Sequence, residues 1–200
     1  MWNFIYSLNF KCKNRIFPIW NRIKFYLKNV KFGKGLYVST SMYLHKSSDA
    51  SINIGENFTF TSTDCYNPLS RNIKGCIVAY PNSIINIGNN VGMSSPCIWA
   101  HSNITIGNYV KIGADCIIMD SDAHSINFYN RRNYNTDKEN TISQPIIIND
   151  DVLIGARCII LKGVTIGART VIGAGSVVTH SIPENCIAAG NPCKIIKKHE

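Results

Sequence analysis

The first 48 residues of this 200-residue chain contain no Asp or Glu, although they carry nine Lys and Arg. Residues 49–200 hold twelve of each sign and are neutral. The net charge of +9 therefore describes a basic arm on a neutral body. A body without a basic face is not built to follow phosphates, which argues against a nucleic-acid-binding domain. No two of the eight cysteines form a C-x-x-C pair, so neither a zinc ribbon nor a redox dithiol motif is present. Spread over this length they make a poor disulfide framework and read as reduced, buried small residues of a reducing compartment. No window approaches the ~18 apolar residues of a membrane-spanning helix. The N-terminus is apolar early (Trp2, Phe4, Ile5, Leu8) but is broken by Lys11, Lys13 and Arg15. It lacks a small-residue cleavage site, so it does not read as a signal peptide. The expected location is cytoplasmic, at most at the inner face of the membrane. Only 16% of residues are charged against 45% hydrophobic, which excludes a disordered chain, and the length points to one domain.

What is abundant is a period. Ile148, Ile154, Ile160, Ile166, Ile172 and Val178 recur at strict six-residue spacing. Ile106, Ile112 and Ile118 form a second train, and Ile54–Phe60, Ile87–Met93 and Phe32–Val38–Leu44 form shorter ones. Seven of the fourteen glycines directly follow an isoleucine in this register. Six is neither a helical period nor a plain strand alternation. It fits a coil of short flat strands in which the aliphatic residue points inward and glycine eases the corner. Four residues after the aliphatic comes a small slot, held by Cys97, Val110, Cys116, Val152, Cys158, Thr170 and Ser176. Cysteines alternating with Val, Thr and Ser at one position have a packing role. Three hexads close one triangular turn, the arrangement of a hexapeptide β-helix.

The pattern (Ile/Val)-Gly-x-x-(small)-x and the stretch from Pro145 to Lys197 resemble the left-handed β-helix hexapeptide acyltransferases. They are similar above all to the maltose/galactoside-type and polysaccharide O-acetyltransferases. The resemblance covers residues 76–197 well and residues 30–75 only through faint repeats. It implies an all-β, left-handed parallel β-helix over 30–197, preceded by a basic N-terminal arm over 1–29 that carries a short helix. It also implies an acetyl-CoA-dependent O-acetyltransferase acting on a saccharide hydroxyl in surface or capsular polysaccharide synthesis, a homotrimer, and no metal. A xenobiotic acetyltransferase of the same fold and a non-catalytic β-helix scaffold are the alternatives. Serine acetyltransferases are disfavoured because their long helical N-terminal domain is missing. The γ-type carbonic anhydrases are disfavoured because the five histidines lack a close pair.

Between Ile118 and Ile148 the period is interrupted by a polar segment, and both flanks remain in register, so residues 125–144 read as an extruded loop. His124 opens it, six residues after Ile118, with Asp120 and Asp122 near enough in sequence to orient its ring or to serve the loop backbone. An alcohol needs a base of near-neutral pKa to attack a thioester, and such a base contributes ~10²–10⁴-fold. The resemblance gives that role to His124 and the oxyanion-stabilising backbone N–H to Ala156. It places Ala174, Thr179, His180, Lys194 and Lys197 at the CoA site, the two lysines against phosphates. It places His101, Asp122 and Arg131 at the acceptor site. Two residues depart from the family pattern: His180 stands where lysine is common, and Leu153 where tryptophan is common.

In the arm, Ile19, Trp20, Ile23 and Leu27 suit one face of a helix, with Arg22, Lys24 and Lys28 largely elsewhere. Two compatible readings follow: peripheral contact with an anionic membrane, or a cap on the first coil.

Overall fold

The structure is a computed structural model, and it describes residues 16–62, 67–71 and 73–198. Residues 1–15 of the arm, Cys12, Cys65 and His199 lie outside the described part. From Lys31 onward the backbone makes strands of two to five residues separated by tight corners. The first face holds β1 (Lys31–Phe32), β4 (Ser51–Ile54), β7 (Ile84–Ile87), β10 (Asn103–Ile106), β13 (Ile146–Ile148) and β16 (Thr165–Ile166). The second holds β2 (Tyr37–Val38), β5 (Thr59–Thr61), β8 (Gly92–Ser94), β11 (Lys111–Ile112), β14 (Leu153–Ile154), β17 (Val171–Ile172), β19 (Cys186–Ala189) and β20 (Lys194–Lys198). The third holds β3 (Tyr43–Lys46), β6 (Cys76–Ala79), β9 (Cys97–Ala100), β12 (Ile117–Met119), β15 (Ile159–Ile160) and β18 (Val177–Val178). Up to β18, strands three apart in the chain pair in parallel, so three strands make one coil of a left-handed triangular β-helix. The coils begin at Lys31, and the faint repeats before residue 76 are as regular as the later ones.

All six residues of the longest train are fully buried. Each contributes ~1.5–3 kcal/mol of hydrophobic stabilisation. The small slot is buried at Val110, Cys116, Val152, Cys158, Thr170 and Ser176. Cys97 departs from this pattern. The corner before β9 is one residue short, so Ile98 points inward, and Cys97 is only half-buried beside Cys76 on the neighbouring strand.

The glycines after isoleucine have a different cause from the one expected. None of the seven has a positive φ. They are needed for space: a Cβ on Gly113 would lie 2.5 Å from the Ala156 nitrogen of the next coil, and one on Gly155 would lie 2.5 Å from that of Ala174. The left-handed backbone of the corner falls two residues later, on Asn57, Asn90, Tyr109, Asp115, Arg157, Arg169 and Gly175.

The described part of the arm is helical over 16–27 (α1). Its buried face is Asn21 and Phe25, which joins the core cluster. The Asn21 amide donates to Val38 O (3.1 Å) and Thr40 O (2.8 Å), and Lys24 Nζ donates to Met42 O (2.6 Å). These carbonyls belong to the first coil, which has no coil before it to satisfy them. At the other end β20 pairs antiparallel to β19 and closes the second face. A second interruption of the period, absent from the sequence reading, lies between β5 and β6 and carries a one-turn 3-10 helix at Pro68–Ser70. Among the described residues no helix is long and apolar enough to cross a membrane.

Candidate functional site

The long loop leaves the prism where the third face turns into the first. Asp120, just past β12, is wholly buried, and its carboxylate accepts the backbone N–H of His101 (2.7 Å) and of Ser102 (2.8 Å) from the coil below. Burial pushes its carboxyl above the ordinary range, opposed by those two N–H bonds. A neck then pinches shut: the Gln144 N–H donates to Asp120 O (2.8 Å), the Asp122 N–H donates to Ile142 O (3.0 Å), and Ser121 bridges to Ser143. The neck closes before residue 124. His124 therefore does not occupy an inward hexad position, and its side chain is 69% exposed.

The loop folds on itself through a one-turn 3-10 helix at Asn130–Arg132 and a short helix α2 (Tyr134–Glu139). The Asn133 side chain caps α2 by accepting the N–H groups of Asn135 and Thr136. This places Asp137 at the root of the loop. Asp137 Oδ2 lies 2.6 Å from His124 Nδ1, and Oδ1 accepts the Ser125 N–H at 2.7 Å. The carboxylate that orients the histidine is thus Asp137, thirteen residues away. Asp120 instead braces the coil below, and Asp122 Oδ2 lies 3.4 Å from Lys162 Nζ. A carboxylate partner assigns the proton to Nδ1, which leaves the Nε2 lone pair directed away from Asp137. The His124 bond, and after it the Ser125 N–H, hold the Asp137 carboxyl below the ordinary carboxylate range. Arg131 serves the loop itself: its Nη1 donates to Ser125 O (2.7 Å) and Ile126 O (2.6 Å).

His101 lies on the same corner, one coil below. Its ring stacks on Tyr80 with centroids 4.1 Å apart and meets Trp99 edge-on at 4.3 Å. Burial lowers its pKa, opposed by Asp120. Its Nε2 is buried without a hydrogen-bond partner among the described residues. Tyr80 and Trp99 were missed in the sequence, although Trp99 directly follows the inward Ile98 and Tyr80 comes three residues after the inward Ile77.

The residues expected at the donor site fall in three places, one corner, the second face and the far edge of the third face. Ala156 and Ala174 occupy the corner between the second and third faces in successive coils, and the Gly175 N–H donates to Ala156 O (2.8 Å). Lys194 and Lys197 would point to opposite faces of a regular strand. An irregularity in the β19–β20 register sets Lys194 opposite Ala189 and Lys197 opposite Ile187. Both partners face outward, since Cys186 and Ala188, which alternate with them, are buried, so the two lysines share the outer face. Leu153 stands on that same face, in the row Lys111–Leu153–Val171–Ile187–Lys197. Thr179 and His180 lie at the far edge of the third face, bonded to one another through Oγ1 and Nδ1 at 2.8 Å.

His124 and Ala156 are not brought together within one chain. They occupy the two opposite edges of the third face, and the neck holds Asp122, two residues from His124, against Lys162 on its own corner. Two grooves on the chain, one lined by Gly167, Ala168 and Pro183 and the other by Phe32, Gly55 and Gly88, do not include His124. Among the described residues there is no cluster of three or more His, Cys, Asp or Glu that could hold a metal.

The hexapeptide repeat of succinyl-transferase matches residues 145–180. A protein of Staphylococcus aureus strain Mu50, provisionally named an acetyltransferase, is 41% identical over 115 residues, covering 48% of this chain and 55% of its own length. The chain thus spans about half the length of the curated relatives it matches. Among solved structures, the polySia-specific acetyltransferase NeuO is 28% identical, with a TM-score of 0.52, over 84% of this chain and 85% of its own. A maltose O-acetyltransferase from Clostridium difficile 630 is 26% identical, with a TM-score of 0.52, over 96% and 85%. Residues 145–180 thus carry a hexapeptide repeat, and the coils that contain it have the left-handed β-helical form.

Proposed function

We propose that the protein is an acetyl-CoA-dependent O-acetyltransferase whose acceptor is a saccharide hydroxyl, acting in the assembly of a surface polysaccharide. The observation that carries this reading is the His124–Asp137 pair, an exposed imidazole held by a carboxylate on Nδ1 with Nε2 free to take a proton. In the reaction Nε2 removes the acceptor O–H proton as the oxygen attacks the thioester carbonyl. The oxyanion of the tetrahedral intermediate is met by a backbone N–H, for which Ala156 is the candidate. The C–S bond then breaks, and the CoA sulfur leaves with the proton returned from the imidazolium. No acyl-enzyme forms.

Because base and oxyanion donor sit on different corners of one prism, the reading requires a second copy to bring its Ala156 corner to His124, as in a cyclic trimer. Lys194 and Lys197, on one face with Leu153, are the candidates for the CoA phosphates. His101 Nε2, without a partner among the described residues and beside Tyr80 and Trp99, is the candidate for an acceptor contact. The relatives named for polysialic acid and maltose support a saccharide over a small drug as acceptor. The test is thiol release from acetyl-CoA against a panel of oligosaccharides, with His124→Ala in parallel. Saccharide-dependent release lost in the variant is the expected result. Release that depends only on small antibiotics would redirect the acceptor, and absence of CoA binding would leave a scaffold.

A further inference from the structure

Helix α1 buries one face and, among the described residues, leaves a second apolar face uncovered. Asn21 and Phe25 hold it to the first coil. Ile16, Ile19, Trp20, Ile23 and Leu27 recur at i, i+3, i+4, i+7 and i+11, which aligns them on one stripe. Each is between 46% and 74% exposed. A stripe of this size that no described residue covers is costly in water and marks a contact surface. Its surroundings say what the contact is. Arg22 and Lys28 on the helix, and Lys31 and Lys34 just after it, are all exposed. No acidic residue occurs before Asp49. A protein partner of ordinary composition would meet this surface with mixed charge, whereas here the charge is of one sign around an aliphatic and tryptophan strip. That combination matches the interface of an anionic bilayer, where aliphatic side chains enter the acyl boundary, Trp sits at headgroup level and Lys and Arg meet lipid phosphates.

We infer that α1 docks the protein on an anionic phospholipid surface through the Ile16–Trp20–Ile23–Leu27 stripe, with the prism standing away from the membrane on the anchored side of the helix. This inference does not depend on the reaction assigned to His124. It is tested with the full chain by co-sedimentation with vesicles of phosphatidylcholine alone and with vesicles containing about one-third phosphatidylglycerol. Binding to the anionic vesicles only is expected, weakening at least tenfold when salt is raised to about 0.5 M. Ile19→Asp with Ile23→Asp should abolish it. Arg22→Gln with Lys28→Gln should weaken it about 25-fold, from about fivefold for each basic residue. Neither pair belongs to the buried Asn21–Phe25 face, although the Arg22 guanidinium lies over the Phe32 ring 5.8 Å from its centroid, so thermal melting of each variant reports a folding defect separately. Equal binding to both vesicle types, or binding indifferent to the Ile19 and Ile23 changes, overturns the inference. So does a self-association that those changes abolish in a protein that ignores vesicles, since a second copy would then be the occupant. Binding to duplex nucleic acid that needs Arg22 and Lys28 but not the isoleucines, without vesicle binding, overturns it as well.

Discussion

At the scale of single residues, the pairing of His124 with Asp137 makes a prediction that separates orientation from charge. Asp137→Asn keeps an oxygen for the Ser125 N–H but offers an N–H towards Nδ1. The imidazole is then driven to the other tautomer, and Nε2 carries the proton that a base must lack. The turnover number should fall about 10²-fold or more while KM for the thioester stays level, read in the thiol-release assay. The acid side follows from the direction of the Asp137 shift. A carboxyl held low in the folded chain stabilises the fold above its ordinary value, and that contribution is lost as pH falls through the lowered one. The Ser125 amide resonance should therefore titrate below the ordinary carboxylate range in the wild type, a transition missing in Asp137→Asn. The repeat identified His124 as the break in a period, but Asp137 was not legible. Nothing in the spacing tells that a capped two-turn helix will carry residue 137 back to residue 124. Glycine gives a second residue-scale test. Gly113→Ala puts a Cβ against backbone that cannot swing away and should cost about 1–3 kcal/mol. Gly175→Ala has nothing within 4 Å but a φ of +73°, and should cost about 1 kcal/mol through backbone conformation alone. Urea unfolding of the two variants distinguishes space from dihedral as the reason for glycine.

Among the elements, the strands were legible because one inward aliphatic per hexad is a strong and local pattern, and the caps were only half legible. The sequence puts Ile19, Trp20, Ile23 and Leu27 on one face of α1 correctly, but hydrophobicity alone favours that face as the buried one. The structure turns it outward because Asn21 and Lys24 are the side chains that can satisfy the carbonyls of a first coil that has nothing stacked on it. Asn21→Ala should leave Val38 O and Thr40 O in a buried place without donors. The expected loss is about 1–3 kcal/mol, seen in thermal melting as a drop of several degrees. At the opposite end, the register irregularity of β20 is invisible to any count of alternation, yet it decides that Lys194 and Lys197 share one face. Replacing both with Gln should raise KM for acetyl-CoA several-fold, with an effect that shrinks as salt rises. KM for acetyl-pantetheine, which has no phosphates, should not change.

For the whole molecule, the prism is what keeps His124 and Ala156 apart, and this sets a test that no single-site variant can give. A triangular coil assigns each residue to a face or a corner, and corners do not exchange. His124 belongs to the corner between the third and first faces, Ala156 and Ala174 to that between the second and third. A reaction that needs both corners must take them from two chains, and three identical heterologous contacts close into a ring. Sedimentation should accordingly give a trimer. The sharper measurement mixes two inactive proteins. His124→Ala lacks the base but has an intact donor corner. Ala174→Trp keeps the base but fills the exposed corner beside Ala156. After co-refolding in equal amounts, random assembly should leave about a quarter of the interfaces with a wild-type residue on both sides, and activity should return to about that fraction. If the two corners act within one chain, every chain in the mixture carries a lesion in its own site and no activity returns. Recovery would therefore assign His124 and Ala174 to different protomers of one site, and silence from a folded trimer would return them to the same one.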